Sequence, residues 1–466
     1  MGETYDVIVV GGGPAGENAA WYARDNGLDV ALIERELVGG ECSYWACMPS
    51  KALLRPGEAL AAARRVPGAA AAITGQVDVE ATLASRDAFS SHWDDKYQVQ
   101  WVESTGTTLI RGHGRLVGER TVDVEAEDGS TRTLTARRGV VVATGSSAVI
   151  PPIDGLRDIR TWDSRDVTTA KEVPARLLVL GGGVVGVEMA QAFRWLGAEE
   201  VTVVEMADRL LPAEEPFVDE DLRRAFDEAG IDVRVGAKAV RAAREGDDGP
   251  VTLTLEDGTE LEADELLVAT GRRPNTADVG LDAVGLEPGR PIETDDQLRA
   301  VGVDGGWLYA VGDVNGRALL THHGKYQARL VGDHLAGKEV AARADHDAVV
   351  RVVYTDPQVA AVGLTEAAAR EKGLDVDVLS HGVGDVAGGS LLGKDVSGTA
   401  QLVVDRGRRT ILGATFTGPG VGEMIHAATI AVVSQITLDD LWHAVPAFPS
   451  MSEVWLRLLE ADRGIS

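Results

Sequence analysis

Apolar residues occur in this chain as short runs separated by glycine-rich turns and longer amphipathic stretches. The run at residues 7–10 leads into a glycine loop at 11–16, a stretch with helical periodicity, and a second apolar run at 30–33. Short apolar runs bounded by glycine predict buried strands, and a repeat near 3.6 residues predicts a helix. The N-terminal part therefore predicts a strand, a tight turn, a helix and a second strand.

The same pattern of apolar run, glycine loop, helical stretch and second apolar run recurs from residue 178. An apolar run at 178–180 precedes a glycine loop at 181–186, a helical stretch to about Leu196 and a run at 201–204. Both loops read Gly-x-Gly-x-x-Gly, and an acid (Glu34 or Glu205) ends each second run roughly 20 residues later, as in dinucleotide-binding units. The glycines permit a tight turn and close approach of a pyrophosphate, while the acid accepts hydrogen bonds from a ribose. Two copies predict two bound dinucleotides.

Length and charge narrow the possible partners. The 466 residues predict two to four domains, and 45 basic against 73 acidic side chains give a net charge of −28. This excess of acid argues against nucleic acid and anionic membranes, because both attract basic surfaces. No apolar run reaches the roughly 18 residues of a membrane span, and the pattern of a signal peptide is missing. We expect a cytoplasmic protein that acts on small molecules.

The chain has only two cysteines, Cys42 and Cys47. A structural disulfide is not expected in the cytoplasm, so the spacing must decide their role. Cys-x4-Cys places the thiols about one helical turn apart, compatible with a reversible disulfide on a distorted first turn, where the helix dipole lowers a thiol pKa. The alternatives are a pair of unreactive buried thiols and half of a zinc site. We expect no metal site, because beyond His322 and His323 the histidines form no ligand-spaced cluster.

Further motifs extend along the whole chain. They are Gly-Gly-x-Cys-x4-Cys-x-Pro-Ser-Lys at residues 39–51 and the stretches 142–146, 269–275, 309–314 and 354–357. With the two glycine loops, they make the chain similar to the flavin-dependent pyridine nucleotide-disulfide oxidoreductases, the family of dihydrolipoamide dehydrogenase, glutathione reductase and mercuric reductase. The resemblance implies an α/β fold with two Rossmann-like dinucleotide-binding domains and a C-terminal α+β dimerisation domain.

The resemblance also implies a division of the chain and two cofactors. It predicts an FAD-binding domain at 1–150, an NAD-binding domain at 151–272, a central segment completing the FAD domain at 273–344, and a dimerisation domain at 345–466 that makes a homodimer.

The residues expected around FAD are carried over from the family. Cys47 would lie against the flavin, Cys42 would exchange with substrate, and Lys51 would lie near the flavin N5 and pair with Glu188. Asp313 would hold the ribityl chain. For His322 a capping role and a catalytic role both remain open. The expected FAD residues are Gly11, Gly13, Pro14, Ala15, Gly16, Glu34, Gly40, Cys42, Lys51, Gly114, Ala143, Thr144, Gly145, Arg272, Gly312, Asp313, Leu320, Thr321 and His322.

The second glycine loop is expected to bind the nicotinamide cofactor. A carboxylate at Glu205 accepts from both ribose hydroxyls of NADH and repels the 2′-phosphate of NADPH, so NADH is favoured, although Arg209 lies nearby. Val184 stands where many relatives carry a tyrosine that gates the nicotinamide pocket. The expected NAD residues are Gly181, Gly183, Val184, Val185, Gly186, Glu188, Glu205 and Gly271.

The C-terminal part departs from the family. Thiol-exchanging members carry a histidine that acts as general base and a glutamate that orients it. Here Phe448 stands at the histidine position, while Glu453 is retained as an expected catalytic residue. Phenylalanine cannot shuttle a proton, and loss of a general base costs about two to four orders of magnitude. Efficient reduction of lipoamide or glutathione is therefore doubtful, unless His426 or His443 substitutes.

Three hypotheses follow. The leading one is an NADH-dependent FAD enzyme that passes electrons through Cys42 and Cys47 to a quinone, a metal ion, dioxygen or a special disulfide. Mercuric reductases also carry an aromatic residue at the position of Phe448, but they use an extra cysteine pair that this sequence lacks. Tyr44 and Trp45 would either stack on a flat acceptor or pack internally. The second hypothesis is a dihydrolipoamide dehydrogenase with a substitute base, and the third is a non-catalytic redox sensor.

Overall fold

The computed structural model describes residues 3–465 and divides the chain into two compact units. The first consists of the chain up to Pro49, Asp87–Ala148 and Arg272–Asp345, and the second of Ser50–Arg86, Val149–Gly271 and the chain from His346 onward. Three of these breaks lie close to the domain boundaries expected from sequence. Ser50–Arg86, however, belongs to the second unit, whereas the resemblance predicts that it is part of the N-terminal domain.

A seven-stranded sheet forms the centre of the first unit. Its order is β3-β2-β1-β6-β5-β4, with β16 also pairing with β6, and β1 is parallel to both β2 and β6. Val7 and Val9 pack into one buried cluster and Ile8 and Val10 into another, so both faces of β1 are covered. This explains the continuous apolar run, since a strand buried on both faces does not alternate. The strands are β1 (Glu3–Val10), β2 (Val30–Glu34), β3 (Thr108–Arg111), β4 (His113–Gly118), β5 (Thr121–Glu125), β6 (Thr131–Val142) and β16 (Leu308–Ala310).

Helices and a short ribbon complete this unit. The ribbon pairs β7 (Ser146–Ala148) with β15 (Arg272–Pro274) in antiparallel fashion. The helices are α1 (Pro14–Asp25), α2 (Gly40–Tyr44), α6 (Lys96–Ser104), α10 (Thr321–Leu335) and α11 (Ala344–Asp347), with 3-10 turns at Ser91–Trp93, Leu281–Val284 and Gly312–Asn315. The helix α3 (Cys47–Arg65) begins in the first unit, and most of it belongs to the second.

The second unit contains a parallel sheet of order β10-β9-β8-β14 and an antiparallel sheet β11-β12-β13. Two helices, α8 (Val184–Trp195) and α9 (Pro216–Ala229), contribute Val187, Phe193, Leu222 and Phe226 to a buried cluster of this unit. The strands are β8 (Arg176–Leu180), β9 (Glu200–Val204), β10 (Ile231–Arg234), β11 (Ala239–Arg244), β12 (Val251–Leu255), β13 (Glu260–Ala263) and β14 (Glu265–Val268). The helices are α4 (Pro67–Ala70), α5 (Val79–Phe89), which ends in the first unit, α7 (Ser164–Thr169), α8 (Val184–Trp195) and α9 (Pro216–Ala229).

The C-terminal part of the second unit is an antiparallel sheet of order β17-β18-β21-β20-β19, with helix α14 packed on β18 and β21. Its strands are β17 (Val350–Val353), β18 (Gln358–Gly363), β19 (Val376–Gly382), β20 (Thr399–Asp405) and β21 (Thr410–Gly418). Its helices are α12 (Glu366–Glu371), α13 (Ala387–Leu391), α14 (Val421–Val433), α15 (Leu438–Leu441) and α16 (Glu453–Asp462), with a 3-10 turn at Val383–Asp385.

The predicted class, a mixed α/β protein with two dinucleotide-binding folds and a C-terminal α+β part, is confirmed. Each parallel sheet begins with a strand, a glycine loop and a helix, as the repeated pattern predicts. Among residues 3–465, no helix combines the length and the apolar character that a membrane span needs.

Candidate active site

The first glycine loop makes a sharp turn between β1 and α1. Gly11 has φ +103°, and a Cβ atom there would lie 2.5 Å from the carbonyl oxygen of Ala143. A Cβ at Gly16 would lie 1.8 Å from the carbonyl oxygen of Gly11, so helix and turn are in direct contact. Gly13 is the N-cap of α1 and offers no side chain to cap it, with Pro14 as the first helical residue. The amide groups of the first helical turn are therefore available to an anion.

The carboxylate of Glu34 closes this loop. It accepts hydrogen bonds from the backbone N–H groups of Gly12 and Glu36, both at 2.6 Å. Burial raises the pKa of Glu34, and the two backbone donors oppose that shift. The acid therefore lies directly beside the glycine turn, as the motif predicts.

The second glycine loop repeats this geometry in the second unit. Gly181 has φ +113°, and a Cβ there would lie 2.5 Å from the carbonyl oxygen of Ala269. Gly183 caps α8 without a side chain. The carboxylate of Glu205 accepts from the N–H groups of Gly182 and Ala207, each at 2.6 Å. The two motifs are thus the same local structure.

The two cysteines lie in the first unit on consecutive helices. Cys42 is in α2, whose N-cap Gly39 has φ +108°, and Cys47 is the first residue of α3. The pKa of Cys42 is raised, first by its interaction with the Cys47 thiol and then by burial. The spacing predicts one distorted helical turn, but a break after Tyr44 gives two helices instead. The sulfurs are nevertheless adjacent.

Thr321 joins the thiol pair to α10. Its hydroxyl lies 3.3 Å from the Cys47 sulfur, and its interaction with Cys42 lowers the pKa of that thiol. Thr321 is the first residue of α10, and the N-cap Leu320 provides no side-chain cap. The positive end of this helix dipole favours negative charge on the thiols. His322, the next residue, is exposed.

Asp313 belongs to a polar cluster at the β7–β15 ribbon. Its carboxylate accepts a hydrogen bond of 2.5 Å from the Ser146 hydroxyl, which in turn accepts from Arg272 Nε at 2.8 Å. Arg272 also lies 3.5 Å from the carboxylate of Glu41, next to Cys42. Gly312 precedes Asp313, and its N–H donates to the buried Gln327 at 2.7 Å. The ribbon, the 3-10 turn and α10 therefore hold Asp313 in place.

Lys51 and Glu188 form an ion pair in the second unit. The Lys51 ammonium lies 2.8 Å from Glu188 Oε2, and its nitrogen lies 4.9 Å from the ring centroid of Tyr354. The other oxygen of Glu188 accepts from the backbone N–H of Tyr354 at 2.9 Å. Only 3% of the Glu188 side chain is exposed, so its charge is compensated rather than solvated. The pairing expected from the resemblance is present.

The remaining expected residues lie around these features. In the first unit, Ala143 is buried, Thr144 bonds to Asn275, Gly145 has φ +70° with open space beside it, and a Cβ at Gly114 would crowd Val10. A Cβ at Gly40 would lie 2.8 Å from the Cα atom of Gly13, and a Cβ at Gly312 or Gly324 would lie 3.0 or 3.1 Å from the Cβ of Ala15. In the second unit, Val184 is 46% exposed, Val185 is half-buried, Gly186 packs on Gly181, and Gly271 has φ +140° with open space beside it.

Comparison with known proteins identifies the family. The model of the pyridine nucleotide-disulphide oxidoreductases matches residues 5–328, and the model of their dimerisation domain matches residues 349–458. The chain belongs to the pyridine nucleotide-disulphide oxidoreductase family. The resemblance inferred from the motifs is confirmed.

Several relatives match this oxidoreductase along nearly its whole length. A mercuric reductase from Staphylococcus aureus is 30% identical over 99% of this chain and 83% of its own, and a dihydrolipoyl dehydrogenase from Chlorobaculum tepidum is 36% identical over 96% and 95%. The solved structure of LpdA from Mycobacterium tuberculosis has a TM-score of 0.86 at 27% identity and covers 100% of both chains. The structure of the HOCl-induced flavoprotein disulfide reductase RclA from Escherichia coli has a TM-score of 0.84 at 25% identity, and the match covers 98% of this chain and 99% of its own. The chain is thus an FAD- and NAD(P)H-dependent oxidoreductase.

The residues of the first unit fit FAD. Gly13 leaves open space above uncapped helix amides, and a Cβ there would meet no atom closer than 3.9 Å. Glu34 offers carboxylate oxygens beside the turn, and Asp313 provides a held carboxylate further along. This is the donor and acceptor set that a dinucleotide with a pyrophosphate and polyol hydroxyls requires. Within residues 3–465, no group of three or more His, Cys, Asp or Glu is arranged to hold a metal ion.

The segment in which the sequence predicts a departure from the family lies on the surface of the second unit. Phe448 is 77% exposed and Val445 is 87% exposed. Glu453 is buried, and Arg457 donates to its Oε1 at 2.5 Å from the next turn of α16, while its Oε2 has no hydrogen-bond partner among the described residues. His426 and His443 are both exposed.

The aromatic pair between the cysteines packs inside the first unit. Tyr44 is fully buried, its hydroxyl donates to the Val38 carbonyl at 2.9 Å, and its own carbonyl accepts from Trp93 Nε1 at 3.1 Å. Trp45 contacts the Tyr44 ring edge-on at 5.7 Å. For Tyr44 the packing interpretation therefore applies, and a stacking face for a flat acceptor could involve only Trp45.

One acid in the first unit has an environment that its sequence pattern does not reveal. Glu17 lies in the first turn of α1, and burial raises its pKa to about 7. An acid at the start of a helix is ordinarily a dipole-stabilising residue in solvent, so the pattern carried no signal of burial. Only the packing around α1 distinguishes it.

Proposed function

We propose that this protein is an NADH-dependent FAD enzyme whose Cys42 and Cys47 form a redox-active pair that passes electrons to an acceptor needing no histidine-assisted thiol exchange. The observation that carries the proposal is the placement of Cys42 in α2 and Cys47 at the start of α3, with the Thr321 hydroxyl at the start of α10 lying 3.3 Å from the Cys47 sulfur. An adjacent pair at a positive helix end can close and open a disulfide with little rearrangement.

The two cysteines have different roles in this proposal. Cys42 has a raised pKa because it bonds to Cys47, is buried and feels negative charge there. By resemblance to the family, Cys47 is the inner thiol, which lies against the flavin. Cys42 is the outer thiol, which hands electrons to the acceptor.

Other residues of the chain hold the cofactors and the charges. Bound FAD supplies the chemistry that accepts a hydride from the nicotinamide and delivers an electron pair to the disulfide. Asp313, Glu34 and the Gly11–Gly16 turn would bind it. Lys51 brings a positive charge that Glu188 orients through a 2.8 Å contact. Such a fixed cation favours negative charge that develops near it.

NADH is the proposed nicotinamide cofactor. The Glu205 carboxylate sits against the second glycine turn, where it would accept from ribose hydroxyls and repel a 2′-phosphate. Arg209 donates to the Pro212 carbonyl of its own turn at 2.8 Å, so it is already engaged. We expect kcat/KM for NADH to exceed that for NADPH by at least about tenfold, since a ribose-binding acid disfavours the phosphate. Steady-state kinetics with both cofactors measure this, and a preference for NADPH contradicts the assignment.

The proposal names classes of electron acceptor rather than one compound. Phe448 removes the base that disulfide substrates need, which favours quinones, metal ions, dioxygen or a special disulfide. The similarity to proteins named mercuric reductase supports a metal ion among these. We expect turnover of such an acceptor to exceed turnover of lipoamide under the same conditions.

Replacement of Phe448 tests this reasoning. In Phe448→His we expect lipoamide turnover to rise by about tenfold or more, because a general base contributes about two to four orders of magnitude when correctly placed. Phe448→Leu is the matched control, since it changes the ring but adds no base, and should leave the rate unchanged. Rapid lipoamide turnover by the unmodified enzyme would instead support the second candidate.

That second candidate is a dihydrolipoyl dehydrogenase with a substitute base, favoured by the 36% identical relative of that name.

We also propose a homodimer, which the match to the dimerisation domain supports. A non-catalytic redox sensor is the third possibility, and turnover of any acceptor with NADH would remove it.

A further inference from the structure

A buried carboxyl group of the first unit contacts two residues of α10 and has no role in the function proposed above. It belongs to Asp345, whose side chain is 0% exposed. Its oxygens lie 3.1 Å from His323 Nδ1, 2.8 Å from Gln327 Nε2, which donates to it, and 3.4 Å from Arg317 Nη1. A carboxyl group without solvent is tolerated only where such donors compensate it.

The contact through Gln327 leads to the residues expected around FAD. The Gln327 side chain is fully buried. While its Nε2 donates to Asp345, its Oε1 accepts from the backbone N–H of Gly312 at 2.7 Å and from Asn315 Nδ2 at 2.9 Å. Gly312 directly precedes Asp313, the acid expected to hold the ribityl chain. One side chain therefore connects Asp345 to the 3-10 turn that carries Asp313.

The contact through His323 leads to the inner thiol. His323 is 4% exposed and lies in the first turn of α10, two residues after Thr321. The Thr321 hydroxyl lies 3.3 Å from the Cys47 sulfur, at the positive end of the helix. A contact that holds this turn therefore fixes where the hydroxyl and the helix end meet the thiol.

Apolar packing alone does not explain these contacts. Well-packed apolar residues are often as stabilising as a buried charged cluster, or more so. In the later turns of α10, Val331 and Leu335 are apolar and pack in a core cluster, whereas the buried His323 and Gln327 of the first two turns are polar. Hydrogen bonds have restricted distances and directions, so they occur in the part of α10 where placement matters for the proposed redox site.

We propose that Asp345 is a positioning residue that acts through Gln327 and His323 on two parts of the redox site. The contact through Gln327 fixes the turn of Asp313 and supports FAD binding. The contact through His323 fixes the first turn of α10 and favours the thiolate of Cys47. One buried carboxyl group thus links FAD binding to the ionisation of the inner thiol. The inference rests on the proposed roles of Asp313 and Cys47.

The affinity for FAD tests the contact through Gln327. Gln327→Met keeps an unbranched side chain but removes the amide, which leaves the Gly312 N–H unpaired and releases the turn of Asp313. We expect the dissociation constant of FAD, measured by flavin fluorescence, to rise about tenfold or more. His323→Leu should keep this constant within about twofold of the parent, because the Gly312 contact is intact.

Alkylation of Cys47 tests the contact through His323. In a Cys42→Ser background Cys47 is the sole thiol of the chain. Its rate of reaction with iodoacetamide, followed by mass spectrometry between about pH 5.5 and 10 with FAD in excess, reports the thiolate fraction. We expect His323→Leu to slow alkylation about tenfold at about pH 7 and to match the parent at about pH 10, where the thiol is ionised in both.

The pH profile separates ionisation from access, because a change in access alone would alter the rate by the same factor at every pH. His323→Asn should restore the rate, since its amide nitrogen can take the place of Nδ1. Gln327→Met should alkylate within about twofold of the parent when FAD is in excess. Asp345→Asn should change both FAD affinity and alkylation.

Thr276→Val is the matched control, because it removes a fully buried hydroxyl that donates to the Arg290 carbonyl at 2.8 Å elsewhere in the first unit. It should lower the melting temperature and leave FAD affinity and alkylation unchanged. Equal effects of His323→Leu and Gln327→Met on both readouts, no effect of either variant, or the same effects in Thr276→Val would overturn the inference. The single-contact variants carry the test even where Asp345→Asn does not fold.

This inference and the proposed function fail separately. The predicted division between the two readouts, in an enzyme whose disulfide NADH does not open, refutes only the redox function. Absence of that division, in an enzyme whose disulfide NADH does open, refutes only the positioning role of Asp345.

Discussion

The two glycine loops of this protein have nearly the same backbone and different chemistry. Gly11 and Gly181 have φ of +103° and +113°, and in each loop the third glycine would clash with the first if it carried a Cβ. Each acid accepts from two backbone N–H groups at 2.6 Å. The geometry that holds a pyrophosphate is therefore repeated in both units.

The helices that follow the loops differ. In α1 the residues after the third glycine are Glu17 and Asn18, whereas in α8 they are Val187 and Glu188. Asn18 donates to the Pro14 carbonyl of its own helix, while Glu188 accepts from Lys51. Nucleotide binding thus depends on glycines at fixed spacing, and the chemistry of each site depends on one or two side chains in the next turn.

The largest expected effect comes from breaking one loop at a time. Gly11→Ala forces a side chain into a left-handed backbone against Ala143, which costs on the order of 1–3 kcal/mol in strain alone. We expect this variant to lose FAD, whereas Gly181→Ala should keep FAD and raise KM for NADH by about tenfold or more. Flavin absorbance after gel filtration, together with steady-state kinetics, measures both effects.

A matched control exists for these substitutions. Gly75 has open space around its Cα, so Gly75→Ala should change neither quantity. If Gly181→Ala lost FAD while Gly11→Ala kept it, the assignment of the cofactors to the two loops would be reversed.

A smaller effect is expected from making the two loops alike. Burial raises the pKa of Glu17 from 4.5 to about 7, so ionisation of this carboxyl group opposes folding. The free energy of unfolding therefore falls as the pH rises from about 4.5 to about 7. Glu17→Val copies Val187 and removes this loss. At about pH 8 we expect the free energy of unfolding of Glu17→Val to exceed that of the parent by up to about 3 kcal/mol. At about pH 5 this pH-dependent difference should vanish.

Thermal unfolding followed by circular dichroism at both pH values checks this expectation. Asp25→Asn, which removes an exposed acid from the same helix, should show no such dependence. A constant difference between Glu17→Val and the parent at both pH values would mean that Glu17 does not titrate in this range.

The sequence predicted what depends on local spacing. The strands, the glycine turns and the acids Glu34 and Glu205 follow from short-range patterns, because each turn is determined by residues within about 25 positions. The family resemblance supplied the Lys51–Glu188 pair, whose members lie far apart in the chain.

What the sequence did not predict depends on packing. The two-helix arrangement of the cysteines follows from the left-handed Gly39 and the buried Tyr44, which a spacing rule does not contain. The desolvation that raises the pKa of Glu17 comes from packing around α1, which a local pattern does not contain. The grouping of Ser50–Arg86 with the second unit likewise reflects long-range packing.

The most direct test of the central claim is to count thiols after anaerobic reduction with one equivalent of NADH. The oxidised enzyme is mixed with NADH, quenched with N-ethylmaleimide under denaturing conditions, and analysed by mass spectrometry. We predict that both Cys42 and Cys47 become labelled, that neither is labelled without NADH, and that a long-wavelength charge-transfer absorbance accompanies the reduction. Consumption of NADH with the two cysteines still unlabelled would contradict the proposal that electrons pass through this pair.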